Sequence, residues 1–236
     1  MPNNYFKFKQ FTVHQGLAAM KVGTDGVLLG AWASVEGAKS ILDIGTGTGL
    51  IALMLAQRNS TARIDAIEID EQACEQAIIN FTESAWAERL HIVHTDFQSY
   101  KVDIKYDLIV SNPPYFNHAL KNDCEKKSKA RHTDSLSFYD LIKGAGKLLN
   151  ADGLFCVVLP ANEKNNFKML ASQNNLYLNN VLNIKPTPTK PAKRVLMSFS
   201  LTETKLTEEE LIVEEFGRHQ YSERYKQLTE DFYLAF

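Results

Sequence analysis

An α/β fold is predicted for this 236-residue chain, with a mostly parallel sheet of seven strands and an antiparallel C-terminal strand. Three observations predict it. Compact apolar or β-branched runs alternate with helix-like runs between residues 40 and 160, the pattern of βαβ units. A glycine-rich turn separates the first of these strands from the first helix. Near residue 176 the alternation stops, and two strands follow each other across Pro186-Thr-Pro-Thr-Lys-Pro191. That link is too short for the crossover a parallel pair requires, so the pair is antiparallel.

Residues 40–45 (SILDIG) form a compact apolar strand ending in glycine, and residues 50–57 a continuous apolar helix. Residues 63–69 are β-branched and apolar. In residues 71–81, Cys74, Ala77, Ile78 and Phe81 recur at three- and four-residue steps, which predicts a helix with that face inward. Residues 90–94 and 106–110 are strands. Residues 137–149 form a helix with Ser137 as its N-cap. Residues 153–159 make a buried strand closed by Pro160, and the antiparallel pair spans 176–184 and 194–201. Residues 222–232 close the chain as an amphipathic helix with Tyr225, Leu228 and Phe232 inward. No linker is visible. Residues 1–38 read as an N-terminal extension packed on one domain, 39–236, with Thr24-Asp25 capping a helix through 27–33.

Composition narrows the class. A chain 44% hydrophobic and 23% charged can bury a core and is not disordered. Its longest apolar runs, 26–35 and 154–160, fall short of the ~20 residues of a membrane span. The start is polar and aromatic, unlike a secretory leader, so a cytoplasmic protein is expected; it is expected to be a monomer. Cys74, Cys124 and Cys156 make no CxxC and have no histidine at ligand spacing, so no metal is expected. The net charge of -2 argues against a nucleic-acid partner when taken alone. The local distribution reverses it: Asp65, Glu68, Asp70, Glu71, Glu75, Glu83 and Glu88 fall in a stretch without Lys or Arg, whereas Lys185, Lys190, Lys193 and Arg194 fall in one without acids.

The densest signal is Asp43-Ile-Gly45-Thr46-Gly47-Thr-Gly49, between strand and helix. Glycines there permit positive φ and close backbone approach to a ligand. The spacing departs from the dinucleotide fingerprint, because the third glycine comes one residue early. Glu68 stands at the tip of the next strand, where a carboxylate can accept from two ribose hydroxyls. Asp70 beside it reads as a helix cap. Asp96-Phe97 follow the third strand. D-x-G-x-G-x-G resembles the first motif of the Rossmann-like, class I S-adenosylmethionine-dependent methyltransferases. The resemblance implies S-adenosylmethionine bound over Asp43, Gly45, Thr46, Gly47 and Gly49, its ribose on Glu68, its adenine amine on Asp96 and its ring bordered by Phe97.

The fourth strand runs into Asn112-Pro113-Pro114-Tyr115. A conjugated amine is a poor nucleophile because its lone pair is delocalised. If the Asn112 side-chain oxygen and the Pro113 carbonyl accept its two hydrogens, the lone pair can turn toward a methyl donor. Pro114 stiffens the turn, and Tyr115 can stack on a flat target. NPPY after the fourth strand resembles the fourth motif of amino-directed methyltransferases, which act on adenine, guanine or the glutamine side chain.

The flanks choose among these. Only about 40 residues precede the core, too few for the helical domain of glutamine methyltransferases. The stretches Phe6-Lys7-Phe8-Lys9-Gln10-Phe11 and Met20-Lys21-Val-Gly23-Thr24-Asp25-Gly26, the NPPY turn, Ala130-Arg131-His132 and Asp231-Phe232-Tyr233-Leu234 resemble one bacterial family over nearly the whole chain. That family methylates the exocyclic amine of adenine 37, beside the anticodon of a valine tRNA. The resemblance implies the tRNA anticodon stem-loop as partner, and Lys21 and Thr24 near the cofactor's methionine end. The alternatives are a protein glutamine N5-methyltransferase and a ribosomal-RNA guanine or adenine amino-methyltransferase. Lys7 and Lys9, alternating with Phe6, Phe8 and Phe11, can form an RNA-contacting arm or a strand with a buried aromatic face. Lys127, Lys129 and Arg131, just after NPPY, are candidate phosphate contacts.

Overall fold

The computed structural model describes residues 3–114 and 136–236. A short antiparallel hairpin comes first, β1 (Tyr5–Lys7) with β2 (Thr12–His14), followed by helix α1 (Thr24–Trp32). The alternating core runs β3 (Ser40–Ile44), α2 (Leu50–Arg58), β4 (Arg63–Glu68), α3 (Glu71–Thr82), β5 (Leu90–His94) and β6 (Tyr106–Ser111). It continues with α4 (Phe138–Leu148), β7 (Leu149–Pro160), α5 (Lys164–Gln173), β8 (Tyr177–Lys185), β9 (Arg194–Ser200), β10 (Thr207–Ile212) and α6 (Glu223–Thr229).

The main sheet has the order β10-β8-β9-β7-β6-β3-β4-β5. β9 pairs antiparallel with both β7 and β8, and the other pairings are parallel. The antiparallel C-terminal strand is therefore present, but the sheet has eight strands where the sequence reads as seven. The eighth, β10, is an edge strand whose Glu208, Glu209 and Glu210 are exposed and of which only Leu211 is buried. Its acids pair with Lys164, Lys185 and Arg224. A charged edge leaves no apolar alternation to read and discourages sheet-to-sheet association.

Each central strand alternates between two cores. Ile41, Leu108, Cys156 and Leu196 face the side covered by α1, α2 and α3, while Leu42, Ile109, Val157 and Val195 face α4 and α5. α2 is buried from Leu50 through Ala56, which accounts for its apolar composition on all sides. α1 crosses α2 at two glycines: a Cβ on Gly26 would stand 3.1 Å from Leu50 Cδ2, and one on Gly30 2.8 Å from the Met54 sulfur. This approach sets the start of α1 beside the glycine turn.

Three local expectations need correction, and the alternative left open for the aromatic arm is decided. α3 turns Ile78 outward, 47% exposed, because its inner face is given to Asn80, which hydrogen-bonds His14 at the end of β2, and Gln76, which hydrogen-bonds Leu17 beyond it. Thr24 and Asp25 do not cap α1; Gly23 is its N-cap, and Asp25 instead pairs with Arg194 at 2.7 Å. The aromatic arm is a hairpin with a buried face: Phe8 stacks on Phe11 at 4.7 Å and packs on Tyr233. Lys9 is committed within the fold, because its ammonium donates to the carbonyls of Glu230 and Phe236 at 2.6 and 2.7 Å. Ser137, Asp70 and Ser222 cap α4, α3 and α6 by accepting from backbone amides three residues on.

Candidate active site

The strand order reverses between β3 and β6, and in open α/β sheets the carboxyl ends at such a point form a crevice. Both strongest sequence signals arrive there. The glycine turn leaves β3 after Ile44, and Asn112-Pro113-Pro114 leaves β6 after Ser111. Ile44 and Ser111 are register partners, and the Ser111 hydroxyl donates to the Ile44 carbonyl at 2.9 Å. That bond locks the two turns side by side. Ser111 carries no motif, so its part is not readable from sequence. Asn112 is half-buried, Pro113 buried and Pro114 exposed. Tyr115 lies outside the described residues, as do Lys127, Lys129 and Arg131.

The glycine turn is held from below. The amides of Gly45 and Thr46 both donate to the Ile67 carbonyl, at 2.9 and 3.0 Å. Gly45, Gly47 and Gly49 have φ of +69°, +57° and +82°, the left-handed region that favours glycine. At Gly49 a Cβ would also stand 2.4 Å from the Phe81 ring. At Gly45 and Gly47 it would meet nothing within 4 Å, so the backbone there is open to a ligand.

Asp43 sits under the turn, fully buried. One carboxyl oxygen accepts from the Thr46 hydroxyl at 2.6 Å and from the Ala52 amide at 3.2 Å. The other is buried without a hydrogen-bond partner among the described residues. Burial pushes its pKa up to about 7, the Glu68 charge adds to the rise, and the bonds from Thr46 and Ala52 oppose it.

Glu68, 8% exposed at the tip of β4, accepts from Gly47 N–H at 2.8 Å on one oxygen and from Ile69 and Asp70 N–H at 2.8 and 2.9 Å on the other. It clamps the glycine turn and keeps one of a carboxylate's roughly four acceptor positions. Next to it, Ile69 is 55% exposed, an apolar surface between two acids that sequence reasoning passed over. Asp96 accepts from Ser99 N–H at 2.8 Å, and the Ser99 bonds hold its carboxyl below the ordinary aspartate range. Phe97 turns inward and packs on α4, where a Cβ on Gly144 would fall 2.3 Å from its ring. Its role in the structure is packing.

The N-terminal segment completes the rim. Thr24, the first residue of α1, and Lys21 just before it are exposed, and in that first turn Gly26 packs against Leu50. Gln15 accepts from Val22 N–H at 2.9 Å, and Asn80 bonds the backbone of His14 on both sides and the carbonyl of Thr48. The open turn at Gly45 and Gly47 and the acid at each following strand tip suit a ligand that carries ribose and adenine. Among the described residues no cluster of three or more His, Cys, Asp or Glu can hold a metal, and no helix is long and apolar enough to cross a membrane.

Residues 22–181 match the family model described as methyltransferase small domain. A tRNA1(Val) (adenine(37)-N6)-methyltransferase of Bacteroides thetaiotaomicron is 50% identical over 235 residues, covering 99% of each chain. One of Trichodesmium erythraeum is 46% identical over 241 residues, covering 100% of each. Among solved structures, a predicted O-methyltransferase from Agrobacterium tumefaciens superposes with a TM-score of 0.70 at 19% identity, over 88% of this chain and 96% of that one. The CcbJ methyltransferase of Streptomyces caelestis gives 0.55 at 12% identity, over 75% and 90%. These two similarities establish the fold.

Proposed function

The chain belongs to the tRNA1(Val) (adenine(37)-N6)-methyltransferase family, and from that premise we propose that it transfers a methyl group from S-adenosylmethionine to the exocyclic amine of adenine 37 in a valine tRNA. The observation that carries the reading is the Ile44–Ser111 junction, which brings the glycine turn and Asn112 to neighbouring strand ends. A donor site and an amine-holding site on adjacent strands suit direct transfer.

Gly45, Thr46, Gly47 and Gly49 line one wall of the donor site, with Asp43 beneath them. The free acceptor position of Glu68 takes ribose hydroxyls, Asp96 takes an adenine amine, and the exposed Ile69 covers a flat ring. Lys21 and Thr24 face the amino-acid end. When bound, S-adenosylmethionine supplies an electrophilic sulfonium methyl. The Asn112 amide oxygen and the Pro113 carbonyl accept the two hydrogens of the target amine. Held this way, the nitrogen presents its lone pair to the methyl carbon. The same two oxygens would stabilise the positive charge that grows on nitrogen as the S–CH3 bond breaks and the thioether departs, and the surplus proton would pass to solvent water. Pro113 and Pro114 fix the turn without reorganisation. Tyr115 stacks on the base. The target adenosine reaches the pocket splayed out of its loop, with Lys7, Lys127, Lys129 and Arg131 on surrounding phosphates.

Asn112→Ala tests the mechanism. Turnover on valine tRNA is expected to fall about 100-fold or more, with affinity for S-adenosylmethionine unchanged by calorimetry. Normal turnover in that variant overturns the mechanism.

A further inference from the structure

We propose that the loop between β8 and β9, residues 186–193, is a tRNA-docking wall on which Lys190 and Lys193 hold phosphates flanking the target adenosine. The proposal rests on the tRNA reading above and deepens it by naming a second basic surface.

The first argument is position. Because β9 is antiparallel to β7, it begins where the parallel strands end. Arg194 pairs with Pro160, while Ser111 pairs with Val157, three residues lower on the same strand. At the usual strand spacing β9 stands about 10 Å to the side of β6, and the loop begins about 10 Å further out than Ser111. It therefore rises from the same edge of the sheet as Asn112 and the glycine turn.

The second argument is rigidity. Pro186, Pro188 and Pro191 restrict the backbone of the loop. Lys193 N–H donates to Ile184 O at 2.9 Å and closes it, and Lys190 N–H to Thr187 O at 3.2 Å folds its tip. Ala161 N–H donates to Lys193 O at 3.1 Å, tying the loop to the end of β7. Glu214 N–H donates to Pro186 O at 3.0 Å from the other flank. The Arg194–Asp25 pair fastens its base to the first turn of α1. A prefolded loop loses little entropy when it docks.

The third argument is charge. Lys185 pairs with Glu210, and Arg194 with Asp25. Lys190 and Lys193 are exposed and take part in none of the ion pairs found among the described residues. Two uncompensated ammonium groups on a rigid rim, with Lys21 exposed across the start of α1, fit a phosphodiester chain.

The test uses the full-length protein and a valine tRNA transcript. In K190E/K193E the tRNA Kd is expected to rise about tenfold or more at low salt, and the slope of log K against log salt to flatten by about 2. K190R/K193R should restore both, and Lys205→Ala, at the opposite end of the sheet, should change neither. Affinity for S-adenosylmethionine should be unchanged throughout; if the charge reversal lowers it, K190Q/K193Q replaces it in the same comparison. An unchanged Kd and salt slope, with methyl transfer to tRNA intact in the wild type, overturns the docking proposal and spares the functional reading. Absence of methyl transfer to any tRNA by the wild type overturns both.

Discussion

Asp43 is the group whose environment departs furthest from its sequence expectation, which cast it as a ligand contact. It is fully buried, bonds Thr46 and Ala52, and so shapes the turn from beneath. Its pKa rises from 3.8 to about 7, so between those values the folded chain holds a proton that the unfolded chain has released. Stability from this group is full below the lower value and is lost as pH rises through the upper one. Asp43→Asn keeps an acceptor for Thr46 and Ala52 and carries no charge. Thermal unfolding at about pH 5 and about pH 8 should show the variant losing less stability than wild type. Parallel losses would refute the assignment. Glu68 was legible as an acid at a strand tip, but its three bonds to backbone amides depend on a loop geometry that only the fold supplies. Phe97, expected to border the adenine ring, packs against α4 in the structure, because Gly144 leaves room for its ring.

Helix α3 links the N-terminal arm to the glycine turn. Asn80, 1% exposed, accepts from His14 N–H at 2.8 Å and donates to the carbonyls of His14 and Thr48 at 2.9 and 2.8 Å. Asn80→Ala leaves three backbone groups without that partner and should cost about 3 kcal/mol in urea unfolding. The arm carries Lys21 and Thr24, so the KM for S-adenosylmethionine should rise more than kcat falls. A variant with wild-type KM would show that the arm is not coupled to the donor site. Strands and helices of the alternating core were readable because both faces of the sheet are covered and the apolar runs are long. α5 was not, since only Phe167 and Ala171 of its ten residues are buried, and β10 was hidden by its three glutamates. The outward turn of Ile78 followed from hydrogen bonding by Gln76 and Asn80, which apolar periodicity does not register.

Across the whole molecule, the sheet does two things at once. Its alternating faces bury two cores, and its carboxyl edge gathers turns from distant parts of the chain into one rim. The net charge of -2 conceals a division along that architecture. Acids occupy α3 and the β10 edge, and the exposed lysines of the β8–β9 loop lie on the same edge of the sheet as Asn112. The motifs were legible in sequence because each lies within a few residues of a strand end. Their convergence was legible only by resemblance, since it depends on β3 and β6 being neighbours across a long sequence separation. The most direct experiment supplies purified protein with methyl-labelled S-adenosylmethionine and total tRNA from a strain lacking this gene, then maps the labelled nucleotide by mass spectrometry. Label is expected as N6-methyladenosine at position 37 of valine tRNA. Label in another base, or in ribonuclease-resistant protein, would contradict the assignment.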